Sequence, residues 1–506
     1  MNFLVALVQW LLGALLSLVA LVLTTLYIRG AFRWRSLFHI QHVLSPSDPR
    51  FPTFLKSLSG SVETRGRVLN FWAAADDIQQ ARLDAISRAS RSVQFETFMM
   101  TPGKRADDFA DALARKATAG VSVQLLVDSW GTRSLKEKYW KRLRSVGVEV
   151  VFFNPFDWRA PINYAGRTHR KLLIIDDTVA LVGGAGISGL WDGTEKSDDT
   201  RPWFDIEFSV TGEIVNVLST IFQAHWRGHK RQNEVTHIDM TMVYGSEENC
   251  RKDAEIETAL YCDETRAEKT HAEKAHAEKT HVERAYAEES KTEESRAEES
   301  KTEVNRSDES RTENSPEASD ASSIILVTAG TKPSYRNSPI ETTKQTLIAS
   351  ARERIWLASP YFLPNMSTRN LLIEAQKSGI EVRILTTSDR SDKKPVYYAS
   401  YEVYGPLLEA GIKIFEYQPS MLHAKMLLID HLWTNTGSAN LDYRSFLHND
   451  ELDVLTTDRT LRKKIEQTFE KGFSESKQIT LHQWKRRSWL KHRILGNIVR
   501  LVQWQL

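Results

Sequence analysis

The side chains best suited to chemistry in this 506-residue chain come in two matching sets. The first lies in THRKLLIIDDTVALVGGAGI, residues 168–187, and the second in LHAKMLLIDHLWTNTGSANLDYRS, residues 422–445. Each holds a histidine, a lysine two places on and an aspartate five beyond that: His169, Lys171 and Asp176, then His423, Lys425 and Asp430. An imidazole can attack phosphorus and carry a covalent phosphoryl group, while a second imidazole protonates the leaving alkoxide. Two ammonium groups can neutralise the phosphate oxygens, a task that metal ions perform elsewhere. One copy supplies half of such a site and two supply a whole one. A single His-x-Lys is usually a partly solvated pair on a strand edge, but repetition at the same spacing points to phosphodiester transfer.

The elements that must position these groups are short. Leu172–Ile175 and Met426–Ile429 are apolar throughout and read as buried strands. On a strand, His and Lys at i and i+2 share a face. Asp176 and Asp430 fall near the strand ends, where a carboxylate could hydrogen-bond and orient a group. Small residues follow in both copies, Gly183, Gly184, Ala185 and Gly186, then Gly437, Ser438 and Ala439. They let a bulky ligand approach the backbone.

The doubled HxKxxxxD, followed by GG or GSxN, resembles the signature of the phospholipase D superfamily. GSANLDYRS with Asn449 and Glu451 behind it, PYFLP at 360–364 and LLEAGIKIFEY at 407–417 look most like the bacterial cardiolipin synthase branch. The resemblance covers roughly residues 60–245 and 322–490. It departs at Gly186, where members usually carry Asn. It implies two similar lobes, each a mostly parallel mixed sheet flanked by helices, with their motifs face to face. It also implies catalytic roles for His169, Lys171, Asp176, His423, Lys425 and Asp430, and substrate binding by Ser438, Asn440, Asn449 and Glu451. His169 would attack phosphorus and His423 would serve as acid, then base; the motifs themselves are too alike to assign the nucleophile. The two aspartates would keep the imidazoles oriented.

Hydrophobic residues make up 41% of the chain, enough for two sizeable cores, and the net charge of +2 gives no global field toward nucleic acid. Two cysteines, Cys250 and Cys262, fit a reducing compartment. Residues 1–28 carry no charged side chain, and Phe3 to Tyr27 is predominantly apolar. Twenty-five helical residues reach about 37 Å, enough for a roughly 30 Å hydrocarbon core. A basic n-region and a clear cleavage site are missing, so an uncleaved, single-pass anchor is favoured over a signal peptide. Arg29, Arg33 and Arg35, with Trp34, follow and predict a cytoplasmic body beneath a bacterial inner membrane. Residues 29–60, with SPSDPRFP, read as a basic juxtamembrane linker.

Helices then alternate with short apolar strands, which argues for βαβ units. In lobe 1, residues 61–250, helices are expected at 77–89, 107–119 and 135–145, and strands at 92–98, 121–128 and 148–153. In lobe 2, residues 323–480, strands are expected at 355–358, 380–386 and 412–417, with helices at 368–378 and 397–410. Trp203, Phe204 and Asp205 precede an apolar strand; relatives carry a similar Trp-x-Asp near the site, although core packing accounts for the aromatics. Residues 251–322 form a charged low-complexity insert with ten consecutive pentads from Ala267 to Pro316. Five residues advance a helix by about 140°, so neither an apolar face nor a metal site from His271, His276 and His281 builds up. Such a composition cannot support a core. Residues 481–506 are basic and carry Trp484, Trp489, Leu490, Leu495 and Trp504. They fit an amphipathic helix on an anionic membrane surface, or a last helix packed on lobe 2.

The expected function is a membrane-anchored phosphatidyltransferase working through phosphohistidine, with a phospholipid substrate and an alcohol or water acceptor. Cardiolipin synthesis from phosphatidylglycerol is one outcome and hydrolysis to phosphatidic acid another. No carboxylate cluster accompanies the motifs, so neither a metal nor another cofactor is expected. A metal-independent nuclease would use the same motifs, with Arg133, Lys136, Lys138, Lys141 and Arg142 as its best groove, but the anchor argues against nucleic acid. A non-catalytic scaffold would be expected to have lost a motif His or Lys.

Overall fold

The computed structural model describes residues 2–31, 43–158, 164–193, 201–236, 323–330 and 338–501. The insert at 251–322, both cysteines, Arg33, Trp34, Arg35 and Trp504 lie outside the described residues. The first half contributes β1 (Val62–Trp72), β2 (Ser92–Thr97), β3 (Ser122–Asp128), β4 (Glu149–Phe153), β5 (Leu172–Ile175), β6 (Val179–Gly183) and β7 (Glu207–Thr211). The second contributes β8 (Ser323–Ala329), β9 (Arg354–Ser359), β10 (Glu381–Thr387), β11 (Lys413–Tyr417), β12 (Met426–Ile429), β13 (Trp433–Gly437), β14 (Leu452–Thr456) and β15 (Ser476–Ile479). They join in one sheet, in the order β15-β11-β10-β9-β12-β13-β14-β8-β1-β7-β6-β5-β2-β3-β4. From the central β8–β1 pair outward the two halves repeat one another. That seam is antiparallel, from Val62 opposite Val327 to Gly66 opposite Ser323.

The sheet is mixed, as expected, but among the named strands parallel pairing is confined to β2–β3–β4 and β9–β10–β11, with isolated parallel bridges at Met100–Ile187, Thr168–Asp450 and Phe204–Leu422. Within those two groups of strands a helix of eight residues or more crosses between neighbours, whereas only the short helix Tyr443–Leu447 separates antiparallel β13 and β14. β5 and β6 are joined by a tight turn, as are β12 and β13, and short turns dictate antiparallel pairing. The expected helices appear at Ala75–Arg88, Lys104–Thr118, Glu137–Arg144, Met366–Lys377 and Lys394–Glu409.

The motif strands have no polar position because helices cover both faces. Leu172 and Ile174 face Phe222 and Trp226 of helix Glu213–Thr236, while Leu173 and Ile175 pack with Phe109 and Leu113. On β12, Met426 and Leu428 join the first of these clusters, which both halves share, with Ile465 and Phe469 of helix Arg459–Ser474. Leu427 and Ile429 pack with Ile340 and Tyr404 on the other side. A fully buried side chain of this size contributes about 1.5–3 kcal/mol.

Three stretches outside the repeated halves bear on the expectations. The linker at 29–60 contains the helix Phe51–Ser59, whose Phe51 and Leu55 are buried in the second half's core. Pro52 suits a first turn and left-handed Gly60 ends it, so the proline-rich composition marks a helix start here. At the N-terminus, helix Asn2–Ala31 exposes its side chains from Val5 to Val22 and is long and apolar enough to cross a membrane. At the C-terminus the chain packs on lobe 2. Trp484 Nε1 donates to the Tyr401 carbonyl, Arg487 pairs with Glu402, and His492 packs against Tyr401. The outer side exposes Trp489, Leu490, Ile498 and Leu501.

Candidate active site

Each motif histidine precedes its strand and is held by the opposite half. The His169 N–H donates to the Asp450 carbonyl (2.8 Å), and the Asp450 N–H to the Arg167 carbonyl (2.9 Å). Reciprocally, the His423 N–H donates to the Phe204 carbonyl (2.7 Å), and the Phe204 N–H to the Met421 carbonyl (2.9 Å). The residue following each partner is an acid. Asp205 Oδ2 lies 2.7 Å from His423 Nδ1, and Glu451 Oε2 lies 3.0 Å from His169 Nδ1. The Ser438 carbonyl is also 3.0 Å from His169 Nδ1. With acceptors on Nδ1, that nitrogen carries the proton and Nε2 keeps the lone pair. Each imidazole is thus set up as a nucleophile or base by a carboxylate from the other lobe.

Burial dominates the titration of both rings. Desolvation pushes His169 down to about 4 and His423 to about 3, and the nearby ammoniums act in the same direction. Both are neutral at pH 7. Burial would raise Glu451, but the His169 imidazole and Lys171 outweigh it and hold the acid at about 2. Asp205 is held below the usual carboxylate range against the same pull, chiefly by His423 and Lys425. Burial also brings Lys171 down to about 7, with Lys425 adding repulsion, and Lys425 itself to about 8. The lysines are therefore charged enough to attract a phosphodiester yet weakly solvated. Lys171 Nζ donates to the His169 carbonyl and Lys425 Nζ to the His423 carbonyl, a shared geometry that sets each ammonium beside its own imidazole. Aromatic walls close the site: Trp191 and Trp203 lie 5.3 and 5.4 Å from the His423 ring, and Phe98 lies 5.5 Å from His169.

Asp176 and Asp430 do not orient the histidines. Four strand residues, about 13 Å of extended chain, separate them from the reacting end. Asp176 accepts from the N–H groups of Ser90, Arg91 and Ser92 at 2.8, 2.7 and 2.8 Å. Asp430 accepts from those of Arg352, Glu353 and Arg354 at 3.1, 2.8 and 3.1 Å. Both adopt positive φ, 54° and 53°, in the turn after the strand, a conformation that short Asp tolerates. Their carboxylates fasten that turn to the start of β2 or β9.

Three of the four expected substrate ligands are hydrogen-bonded to one another beside His169. Ser438 Oγ and Asn449 Nδ2 donate to Glu451, which itself holds His169, so these three residues position the imidazole. Asn440 donates its backbone N–H to Ser445 Oγ, and its buried Oδ1 has no hydrogen-bond partner among the described residues. Asp205, which sequence reasoning ranked behind the motif residues, is the counterpart of Glu451. A signal for it was present: Asp205-Ile206-Glu207 and Glu451-Leu452-Asp453 are a third duplication. The second acid of each triplet anchors a buried cation, Glu207 to Arg82 and Asp453 to Lys344. Arg82 Nη2 in turn donates to the Ala185 carbonyl at 2.8 Å, steadying the glycine-rich loop. Behind His169, buried Glu96 takes the Thr168 hydroxyl and His225 Nδ1, the latter at 2.9 Å. Arg82, Glu96, His225 and Lys344 are not among the site residues expected from the sequence.

Two histidine–lysine motifs meeting across the seam of a duplicated sheet define a class, and the comparisons agree with it. Residues 83–199 and 345–472 match the family model described as cardiolipin synthase, PLD-like domain. The crystal structure of phosphatidylserine synthase from Haemophilus influenzae superposes with a TM-score of 0.56 at 12% identity, covering 90% of this chain and 99% of that one, a likeness of fold. The chain is similar to the phospholipase D superfamily. Within it, the resemblance is to bacterial cardiolipin synthases. Cardiolipin synthase 2 of Bacillus anthracis is 28% identical over 451 residues, 88% of this chain and 72% of that protein. The cardiolipin synthase of Alkalihalophilus pseudofirmus is 27% identical over 471 residues, 92% of this chain and 75% of that protein.

Proposed function

We propose that this phospholipase D superfamily phosphatidyltransferase makes cardiolipin from two molecules of phosphatidylglycerol. His169 Nε2 attacks the phosphorus of the first, the bond to the head-group glycerol breaks, and His423 supplies the proton that lets glycerol leave. A phosphatidyl–His169 intermediate remains. His423 then takes the proton from a glycerol hydroxyl of the second molecule, that oxygen attacks phosphorus, and the P–N bond breaks to free His169. Lys171 and Lys425 hold the phosphate oxygens throughout. The substrate's negative charge raises both imidazole pKa values from their low resting positions, which supports a proton on His423 at the moment of leaving.

The observation that carries this reading is the reciprocal pairing of His169 with Glu451 and His423 with Asp205, which gives one site two imidazoles whose Nδ1 is held by an acid, with Lys425 Nζ 3.0 Å from His423 Nε2. The resemblance to bacterial cardiolipin synthases supports a lipid substrate and transfer to a second lipid. Aromatic walls beside both rings favour a lipid alcohol over water as acceptor. Helix Asn2–Ala31 supports an N-terminal anchor, and Arg29, Arg33 and Arg35 support a cytoplasmic body. The exposed Trp489, Leu490, Ile498 and Leu501, with Lys491, Arg493 and Arg500 among them, support contact with an anionic surface.

Purified full-length protein in detergent, given phosphatidylglycerol with and without chelator, tests this. Cardiolipin and free glycerol in equal amounts, lost in His169→Ala and His423→Ala, are expected. Phosphatidic acid in place of cardiolipin makes the protein a hydrolase of the same class. No turnover of phospholipid rejects the proposal.

A further inference from the structure

The departure at Gly186 has a structural counterpart in Trp191. Aligning the glycine-rich followers puts Gly183, Gly184, Ala185 and Gly186 against Gly437, Ser438, Ala439 and Asn440. Two polar side chains of the second half, those of Ser438 and Asn440, thus have no equivalent in the first. The Ser438 hydroxyl donates to Glu451, the acid that holds His169. At Gly184 no side chain fits: a Cβ would lie 2.3 Å from Asp205 Oδ1. Asp205 instead accepts from Trp191, whose Nε1–H is 2.9 Å from the same Oδ2 that holds His423 Nδ1. At Gly186 a Cβ would meet two indole carbons of Trp191 at 2.9 Å, so the indole fills the space a side chain there would take. The indole is 2% exposed, lies 4.8 Å from the Trp203 ring and meets the His423 ring edge-on at 84°.

We propose that Trp191 is the positioning residue for His423: its indole N–H does for Asp205 what the Ser438 hydroxyl does for Glu451, and its ring occupies the place of the asparagine missing at Gly186. A buried indole N–H needs an acceptor, and a buried carboxylate needs donors to keep it from drawing the imidazole proton onto itself. Trp191 meets both needs with one bond. It also fixes the carboxylate in the plane that presents Oδ2 to Nδ1, so the Nε2 of His423 is aimed by a side chain that touches no substrate. Gly186 and Trp191 are consequently a coupled pair, each permitted by the other.

Because the idea rests on the phosphodiester reading above, its test uses two substrates, phosphatidylglycerol and the soluble diester bis(p-nitrophenyl) phosphate. Trp191→Phe keeps the ring and deletes the donor. Loss of that donor makes Asp205 a stronger base and raises the pKa of His423, so the pH profile governed by His423 is expected to move upward by about one unit, with KM little changed and kcat down about tenfold. Gly186→Asn alone is expected to abolish turnover through the clash with the indole. Combined with Trp191→Ala, which opens the space, Gly186→Asn is expected to recover at least tenfold over Trp191→Ala alone, because the introduced amide can donate to Asp205. A Trp191→Phe enzyme with wild-type kcat and pH profile, or a fully active Gly186→Asn enzyme, overturns the inference. Wild-type cleavage of the soluble diester without any lipid turnover rejects the lipid function while leaving these comparisons decisive. Wild-type inactivity on both substrates overturns the two together.

Discussion

Around His169 the supporting acid is Glu451, which takes a hydroxyl from Ser438 and an amide from Asn449, and the ring has Phe98 on one side. Around His423 the acid is Asp205, which takes an indole N–H and its neighbour's backbone N–H from Ile206, and the ring packs against a pair of tryptophans that also contact each other. The backbone clasp is the same in both places, down to the pair of hydrogen bonds that flank each histidine. What the duplication has kept is therefore the acid, the imidazole Nδ1 and the ammonium two residues on. What it has let vary is the layer that holds the acid. Because each acid comes from the other lobe, neither half can assemble its own catalytic unit, and the β1–β8 seam is part of the active site's construction.

The sharpest way to break this comparison is to neutralise the acids one at a time. His169 Nδ1 has a second acceptor in the Ser438 carbonyl at 3.0 Å, whereas Asp205 is the carboxylate on which His423 depends. Asp205→Asn is expected to lower kcat on the order of 10³-fold and Glu451→Gln on the order of 10²-fold, since the carboxylate fixes the tautomer and stabilises the imidazolium. Steady-state rates on phosphatidylglycerol check the ranking. Equal losses would mean that the carbonyl contributes nothing, and either enzyme retaining wild-type rate would remove that acid from the account.

A smaller effect separates the lysines. Lys171 and Lys425, lowered by burial to about 7 and 8, are charged below those values and neutral above them. Phosphate capture needs the charged form, so kcat/KM is expected to fall as pH rises through 7 to 8, approaching about tenfold per pH unit for each proton lost. Lys171→Arg keeps its charge at higher pH and should move that limb upward, even where it lowers the rate. An unchanged alkaline limb would assign it to another group.

The smallest catalytic effect is expected at the motif aspartates. Asp176→Ala and Asp430→Ala strip the acceptor from backbone N–H groups at 90–92 and 352–354, and each should cost about 1–3 kcal/mol of stability, read as a lowered Tm. Asp176, which also takes the Ser90 hydroxyl, should cost more. Turnover well below the melting transition should stay within a few-fold of wild type. A loss comparable to that of Asp205→Asn would restore these residues to the chemistry.

Much of this was legible in the chain because much of it is local. The apolar four-residue runs before Asp176 and Asp430 announce strands buried on both faces, and the helix periods around them place the flanking elements to within a few residues. Exchange of the two acids between lobes was not legible, because it depends on a seam that brings residue 205 beside 423 and residue 451 beside 169. The duplicated acid-x-acid triplets held that information without revealing its direction. The motif aspartates misled because five residues beyond a lysine sounds close, while along an extended strand it is far. Phe51–Ser59 reads as linker because Pro46, Pro49 and Pro52 hide the i, i+4 pair Phe51 and Leu55. Gly186 looked like a loss until the indole of Trp191 accounted for the space.

The most direct test of the central account, one histidine from each lobe in a single site, is to trap the covalent intermediate. Full-length protein would be mixed with a phosphatidyl ester of p-nitrophenol, whose leaving group needs no protonation, then quenched in alkali, digested and analysed by mass spectrometry. The account predicts a phosphatidyl adduct on His169, transient in the wild type, accumulating in His423→Ala where no base activates the acceptor, and absent in His169→Ala. Adducts on both histidines, or turnover in His169→Ala, would contradict it.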